Sequence, residues 1–199
     1  MTLANRLTLF RILLSFLFMS LLLRQGLFLR FSALCLFSVA SLTDFYDGRL
    51  ARFKGEVTPF GKLMDPIADK ILVIAAFAAF VQLGLIPAWM LVLVLSRELL
   101  ITGVRLFAFA QGQGVLPADR SGKHKTVTQM AGILWVLIVL VLRELPASLL
   151  TQENIGLFRM VQASVFWVMF VTVWVTVGSG LLYLWRHRLL LTPKPNRTP

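Results

Sequence analysis

Four stretches of this chain, residues 12–23, 71–95, 127–142 and 160–185, contain no Asp, Glu, Lys or Arg. Runs of this kind constrain the fold more than any other feature, because a bilayer core about 30 Å thick asks roughly 20 apolar residues of a helix. Inside such a core every backbone polar group must find a partner within the protein, which leaves helices and closed barrels as the spanning forms. Charged residues make up 15% of the chain, against roughly 25% in a soluble domain, and the mean hydropathy is +0.81. The chain reads as an all-α integral membrane protein with one six-helix domain over residues 1–190. A tail over 191–199, "LTPKPNRTP", has three prolines and no apolar period and is expected to be disordered.

Six transmembrane helices are expected at about 7–23, 31–52, 61–84, 87–110, 125–142 and 160–185. The first is expected to stay in place, since Arg11 interrupts its apolar stretch and no A-x-A site follows. The net charge is +11, and Lys and Arg sit between the apolar runs. By the positive-inside bias, 49–62, 120–125 and the segment after Arg186 lie inside, 82–88 and 143–159 lie outside, and both termini are cytoplasmic. Arg24 and Arg30, in the first outer hairpin, run against that bias. A basic membrane face attracts anionic lipids and phosphates, and this accounts for the charge better than a nucleic-acid partner does. Cys35 is the single cysteine; it excludes an internal disulfide and is expected to be a small core residue.

Against this apolar background, four of the five aspartates fall within 44–69, in the stretch "DFYDGRLARFKGEVTPFGKLMDPIADK". Only 13 uncharged residues separate Arg30 from Asp44, too few to span a bilayer alone, so the second helix must continue through Asp44 and Asp47. The third must likewise begin before its own acids, with Pro66 kinking or starting it. Asp44, Asp47, Gly48, Ala51 and Arg52 are spaced i, i+3, i+4, i+7, i+8 and share one face of a helix. Gly61, Asp65 and Asp69 are spaced i, i+4, i+8 and share a face of the next. Two antiparallel helices can bring these stripes together. Four converging carboxylates repel at low dielectric unless they protonate or hold a cation. Oxygen-only ligands favour Mg²⁺ or Mn²⁺ over Zn²⁺, with Ca²⁺ a weaker option. Four carboxylates suffice to bridge two such ions, the usual device for displacement at phosphorus. Gly48 and Gly61 leave space against the backbone, for a ligand or for close helix packing.

The same stretch resembles the signature D-x2-D-G-x2-A-R-x8-G-x3-D-x3-D of the CDP-alcohol phosphotransferase family, with all eight defining positions filled. "ANRLTLFRILL", "MDPIADKILV", "SRELLITGVR" and "SGKHKTVTQM" are similar to blocks of the bacterial phosphatidylglycerophosphate synthases within it. The last 50 residues carry little of the resemblance, and 113–119 has no evident counterpart. The resemblance implies a six-helix membrane enzyme of the CDP-alcohol phosphotransferase fold. Such an enzyme moves a phosphoalcohol group from a CDP-alcohol to an acceptor hydroxyl and releases CMP.

Carried onto this chain, the resemblance implies that Asp44, Asp47, Asp65 and Asp69 hold two Mg²⁺ or Mn²⁺ ions, with Asp69 also the general base. Gly48, Ala51 and Gly61 would give room to the cytidine nucleotide, Arg52 would face the pyrophosphate, and Thr58 would be a nucleotide contact. Asn5, Thr8 and Arg11 would close the pocket from the first helix. An acceptor phosphate needs cations, and Arg97, Arg105 and Lys125 are candidates, with Lys123 and Arg120 behind them. Arg97 and Arg105, spaced i, i+8, share a face, and the planar guanidinium suits phosphate; the alternative is an ordinary positive-inside cluster. Glu98 is expected to pair with a neighbouring base. The implied partners are CDP-diacylglycerol, sn-glycerol 3-phosphate and membrane lipids, with a homodimer admitted. The implied setting is the bacterial inner membrane, multi-pass, with the site facing the cytoplasm. Two rivals remain open: the same chemistry with inositol phosphate, serine or phosphatidylglycerol as acceptor, and a divalent-cation transporter, since intramembrane acids often mark ion pathways.

Overall fold

The computed structural model of the chain describes the backbone of residues 3–54, 59–110, 120–145 and 152–186, and the side chains of 9–42, 70–105, 107–108, 125–145 and 156–186. The described residues form six helices and no strand: α1 (Leu3–Leu22), α2 (Leu27–Lys54), α3 (Pro59–Gln82), α4 (Ala88–Ala110), α5 (Arg120–Arg143) and α6 (Gln152–Arg186). The all-α expectation is met. The shortest helix has 20 residues, which at 1.5 Å per residue makes it about 30 Å long. Among the described residues, Lys125–Arg143 and Gly156–Arg186 are both long and apolar enough to cross a membrane, while Leu9–Leu22, Leu27–Leu42 and Lys70–Gln82 are apolar over shorter lengths. The tail over 191–199 lies outside the described residues.

Three helices begin well before the boundaries that the apolar runs suggest. α2 begins at Leu27 rather than 31, α5 at Arg120 rather than 125, and α6 at Gln152 rather than 160. An apolar run marks only the part of a helix that avoids water, whereas backbone hydrogen bonding continues for as long as the chain permits. The outer segment expected at 143–159 therefore contracts to 144–151. α2 runs on through Asp44 and Asp47 to Lys54, as its short uncharged stretch requires. α3 starts at Pro59, whose fixed φ suits the first helical position, so Pro66 lies within α3 instead of starting it.

At its other end α3 stops on Gly84, which takes φ +68°. The amide of Leu85 donates to the Phe80 carbonyl at 2.9 Å and that of Gly84 to Val81 at 3.0 Å, the paired bonds of a Schellman turn that a left-handed glycine permits.

The helices alternate in direction and close two rings. α1 and α5 each pack on both α2 and α3, so these four form one ring; α3, α4, α6 and α5 form the second, with the α3–α5 contact shared. α3 is accordingly buried on most sides, through Leu72, Val73, Ala76, Phe77, Ala79 and Phe80. Its many alanines let neighbours approach closely, the usual solution where lipid supplies no hydrophobic drive between helices. Phe18 of α1 meets Phe37 of α2 with ring centroids 5.5 Å apart. The buried face of α2 carries Arg30, Ala33, Phe37 and Ala40, and Cys35 falls outside it. Cys35 is exposed, not a core residue as expected.

The outer surface is unlike that of a soluble protein. Phe10, Leu13 and Phe16 of α1, Phe28 of α2, Leu99 of α4, and Trp167, Trp174 and Leu181 of α6 are all exposed. Contiguous apolar surface on this scale marks a lipid or partner contact. Serine and threonine hydroxyls meanwhile turn back onto their own helices. Ser15 donates to the Arg11 carbonyl at 2.8 Å, Ser38 to Leu34 at 2.8 Å, Thr172 to Val168 at 2.8 Å and Thr176 to Thr172 at 2.8 Å. Such bonds satisfy a hydroxyl without water.

Arg30, which opposed the charge bias, is neutralised inside the bundle. Its side chain is 10% exposed, and Nη1 lies 2.9 Å from Glu144 Oε1 and 3.3 Å from the Leu140 carbonyl. Replacing Glu144 by Gln should leave that guanidinium without a counter-charge and lower stability by about 2–4 kcal/mol. Arg143→Met, which removes only an exposed 3.4 Å contact to Gln162, should stay within about 0.5 kcal/mol. Thermal unfolding of the two variants in detergent measures the difference.

Candidate active site

The candidate residues on α1, α2, α3 and α5 lie on helix halves at one end of the bundle, while Arg97 is near the middle of α4. Because the helices alternate, that end collects the N-terminal parts of α1, α3 and α5 and the C-terminal parts of α2, α4 and α6. Asp44, Asp47, Gly48, Ala51 and Arg52 lie in the C-terminal half of α2, and Gly61, Asp65 and Asp69 in the N-terminal half of α3. The two acid-bearing segments are joined by the four residues between Lys54 and Pro59. Asn5, Thr8 and Arg11 come from α1, and Arg120, Lys123 and Lys125 from α5. The side chains of Asn5, Thr8, Asp44, Asp47, Arg52, Asp65, Asp69, Arg120 and Lys123, and the surroundings of Gly48, Ala51 and Gly61, are outside the described residues. Thr58 is outside them entirely. Arg11 is buried at 6% exposure.

The second ring carries a charge cluster around one carboxylate. Glu98 of α4 is 6% exposed. Its Oε1 accepts from Lys125 Nζ of α5 and from Arg97 Nη1 at 3.2 Å, and its Oε2 lies 3.8 Å from Lys70 Nζ of α3. Lys70 also reaches the Glu98 carbonyl at 3.5 Å and the Thr102 hydroxyl. Thr102 in turn donates to the Glu98 carbonyl at 2.7 Å. The expectation that Glu98 pairs with a neighbouring base is met, by three bases and not one. Charges inside a helical bundle are costly and usually serve a function; here three cations from three helices surround one anion.

Arg97 and Arg105 do share a face of α4, and the face is turned to α6. Arg97 Nη2 donates to Ser179 Oγ at 3.2 Å. Arg105 stacks over the Tyr183 ring at 5.3 Å from its centroid, with Nε 3.5 Å from the phenol oxygen. Gly180 makes the first of these contacts feasible, because a Cβ there would sit 2.7 Å from Arg97 Cγ. A cavity of ≈ 30 Å³ adjoins the cluster, lined by Lys70, Glu98, Lys125, Thr126 and Gln129 among apolar neighbours. Gln129 is 3% exposed, and its Nε2 has no hydrogen-bond partner among the described residues.

The sequence reading nominated Arg97, Arg105 and Lys125 and missed Lys70, Thr102, Gln129, Ser179, Gly180 and Tyr183. A usable signal was present, since each is a polar or small interruption of an apolar helix at the depth of the cations. Ser179, Gly180 and Tyr183 fall in the last 50 residues, which were expected to be generic hydrophobic helix. Among the described residues no three His, Cys, Asp or Glu side chains group closely enough to hold a metal; the four motif aspartates are not among them.

An apolar six-helix bundle whose family model is that of a phosphotransferase is a membrane-associated phosphotransfer enzyme. The chain belongs to the CDP-alcohol phosphatidyltransferase family, whose model matches residues 1–178. That match takes in most of α6. The chain is 40% identical over 148 residues to the CDP-diacylglycerol–glycerol-3-phosphate 3-phosphatidyltransferase of Bacillus subtilis (strain 168), covering 74% of this chain and 69% of that protein. It is 32% identical over 148 residues to the Rickettsia bellii (strain RML369-C) protein of the same name, covering 74% of each. It is 44% identical over 104 residues to a probable phosphatidylglycerophosphate synthase of Mycobacterium tuberculosis (strain ATCC 25618 / H37Rv), covering 52% of this chain and 49% of that one.

Two glycines two residues apart on α6 test the packing at the cluster. Gly180→Ala should force Arg97 away from Ser179 and lower stability by about 1–3 kcal/mol. A Cβ on Gly178 would meet nothing within 4 Å, so Gly178→Ala should be neutral or stabilising by up to about 1 kcal/mol through helix propensity. Thermal unfolding of the pair in detergent separates the two outcomes.

Proposed function

We propose that this chain transfers the phosphatidyl group of CDP-diacylglycerol to the 1-hydroxyl of sn-glycerol 3-phosphate, giving phosphatidylglycerol phosphate and CMP. The observation that supports this reading best is the match of residues 1–178 to the CDP-alcohol phosphatidyltransferase family, together with the sequence adjacency on α3 of the motif residue Asp69 and Lys70, which faces Glu98. Family membership supplies the transfer of a group from a CDP-alcohol. The names carried by the Bacillus and Rickettsia relatives support glycerol 3-phosphate as acceptor.

On this reading the hydroxyl oxygen of the acceptor attacks the β-phosphorus and its proton passes to Asp69. The bond from that phosphorus to the bridging oxygen breaks, and CMP leaves with the bridging oxygen. Asp44, Asp47, Asp65 and Asp69 form an oxygen-only donor set that fits hard divalent cations. Two Mg²⁺ or Mn²⁺ ions held there would neutralise charge on the diphosphate and on the leaving nucleotide. Gly48, Ala51 and Gly61 give the cytidine room, with Arg52 on the pyrophosphate and Thr58 against the nucleotide. Asn5, Thr8 and Arg11 border the same space from α1. Lys125 and Arg105 attract the acceptor phosphate, with Arg97, Lys123 and Arg120 adding to the field.

All six helices cross the bacterial inner membrane on this reading, with the charged end in the cytoplasm and the acyl chains of the lipid substrate in the bilayer. The lengths support it, and so does the exposed apolar surface on α1, α2, α4 and α6. The apolar parts of α1, α2 and α3 are short because their remaining turns carry site residues.

Asp69→Asn in purified protein with Mg²⁺ and both substrates should lower the rate of CMP release by about 10²–10⁴-fold, the scale of a lost general base. Undiminished release would remove Asp69 from that role. An acceptor panel of glycerol 3-phosphate, inositol phosphate, serine and phosphatidylglycerol should show CMP release with the first alone. Arg105→Met and Lys125→Met should each raise the KM for glycerol 3-phosphate by about tenfold or more, with the KM for CDP-diacylglycerol within about twofold.

A further inference from the structure

We infer that Gln129 is a specificity-determining residue of the acceptor site, its side-chain amide binding the 2-hydroxyl of glycerol 3-phosphate in a small recess beside Lys125. The inference rests on the proposed reading of that site and deepens it. The cations answer to the phosphate and Asp69 to the reacting hydroxyl; Gln129 answers to the hydroxyl between them.

Gln129 is 3% exposed, and its Nε2 has no hydrogen-bond partner among the described residues. A buried donor left unpaired is costly, and such a group in a folded protein calls for a ligand, a water or a functional role. Arg30 Nε and Arg97 Nε are in the same condition, but each of those guanidiniums is bonded through another of its nitrogens. The Gln129 amide has one nitrogen only. Part of the recess wall offers it nothing, since Val73, Ile74, Val94 and Met130 are apolar.

Its position matches the acceptor. Gln129 follows Lys125 by four residues on α5 and so stands on the same helix face, one turn further into the bundle. Both line the recess of ≈ 30 Å³, together with Lys70 of α3 and Glu98 of α4. Lys70 directly follows Asp69, the proposed base, and Lys125 is proposed to attract the phosphate. In glycerol 3-phosphate the 2-hydroxyl is on the carbon between the one that bears the reacting hydroxyl and the one that bears the phosphate. A site that holds both ends of the molecule therefore brings the 2-hydroxyl to the wall that the two lysines share.

The recess is far below the roughly 300–1,000 Å³ of a pocket for a whole ligand, so it suits one small polar group and not an entire acceptor. A hydroxyl both donates and accepts. It can accept from the Gln129 amide and donate to the Glu98 carboxylate, whereas a phosphate dianion only accepts and would set oxygen against oxygen. Water meets the same demand until the acceptor arrives, and the 2-hydroxyl then replaces it.

The test uses the full chain in detergent with Mg²⁺ and CDP-diacylglycerol and compares two acceptors. One is glycerol 3-phosphate; the other is 3-hydroxypropyl phosphate, which keeps the reacting hydroxyl and the phosphate and lacks the 2-hydroxyl. The unaltered protein should favour glycerol 3-phosphate by about tenfold or more in kcat/KM. Gln129→Met, similar in shape but without the amide, should lower kcat/KM for glycerol 3-phosphate by about tenfold or more and leave that for 3-hydroxypropyl phosphate within about twofold. Equal use of the two acceptors by the unaltered protein overturns the proposal. So does an equal loss on both in Gln129→Met, which is the pattern of a packing role or of a resident water. Should Gln129→Met fail to fold, Gln129→Asn keeps an amide and withdraws it by one methylene; the preference should fall in the same way, and an unaltered preference overturns the proposal. If the unaltered protein releases no CMP with glycerol 3-phosphate, the functional reading fails and this inference with it. If CMP is released and the preference survives Gln129→Met, only the role of Gln129 fails.

Discussion

The free energy of placing charge in a low-dielectric bundle governs this structure. An ionised side chain at the centre of a membrane helix costs about 2.5–3.5 kcal/mol on insertion scales and more in isolation. Among the described residues, the buried charges of two clusters have partners. Arg30 meets Glu144 where α2 begins and α5 ends, and Glu98, near the middle of α4, gathers Lys70, Arg97 and Lys125. Hydroxyls elsewhere bond to their own helices.

Close approach between helices is the second requirement, and it is met by small residues at a few positions. A Cβ on Gly132 would lie 2.6 Å from Thr172 Oγ1, and one on Gly180 would lie 2.7 Å from Arg97 Cγ. The first draws α5 onto α6 and the second draws α4 onto α6. Both contacts belong to the second ring, where the cation cluster sits. α3 and α5 are common to both rings, and Lys70 and Lys125 stand on these two shared helices. The cations therefore form part of the partition between the α2–α3 acids and the α4–α6 contacts.

The fold was legible in the sequence because one-dimensional features carried it. Charge-free runs located the six helices, and the 13 uncharged residues before Asp44 required α2 to continue past its acids. What runs could not show was where helices end, since Leu27–Arg30 and Gln152–Arg159 are helical without being uniformly apolar. Nor could they show which helix is central. The Ala-rich segment of α3 is no more apolar than its neighbours, but its side chains are small enough to be surrounded. The burial of Arg30 depended on Glu144, 114 positions away, and no local pattern records that pairing. At the site the nominated arginines and lysine were legible as cations on helix faces. Their partners left a weaker signal: Ser179, Gly180 and Tyr183 interrupt an apolar run, but only the packing of α6 against α4 shows which cation each one meets.

On the proposed reading, the two rings divide the recognition problem. Residues nominated for the CDP-alcohol lie on α1, α2 and the start of α3, whereas those nominated for the acceptor lie on α4 and α5 and are braced by α6. The partition between them is narrow, since Asp69 and Lys70 are consecutive residues of one helix. An enzyme built this way can keep its nucleotide machinery and change acceptor by altering α4–α6 alone, since none of the eight motif positions lies there. The limit on such change is Glu98. The three cations around it could not be replaced one at a time without leaving a buried carboxylate short of partners. Acceptor specificity would then be held by the electrostatic balance of the whole cluster, and a change of acceptor would require its charges to change together.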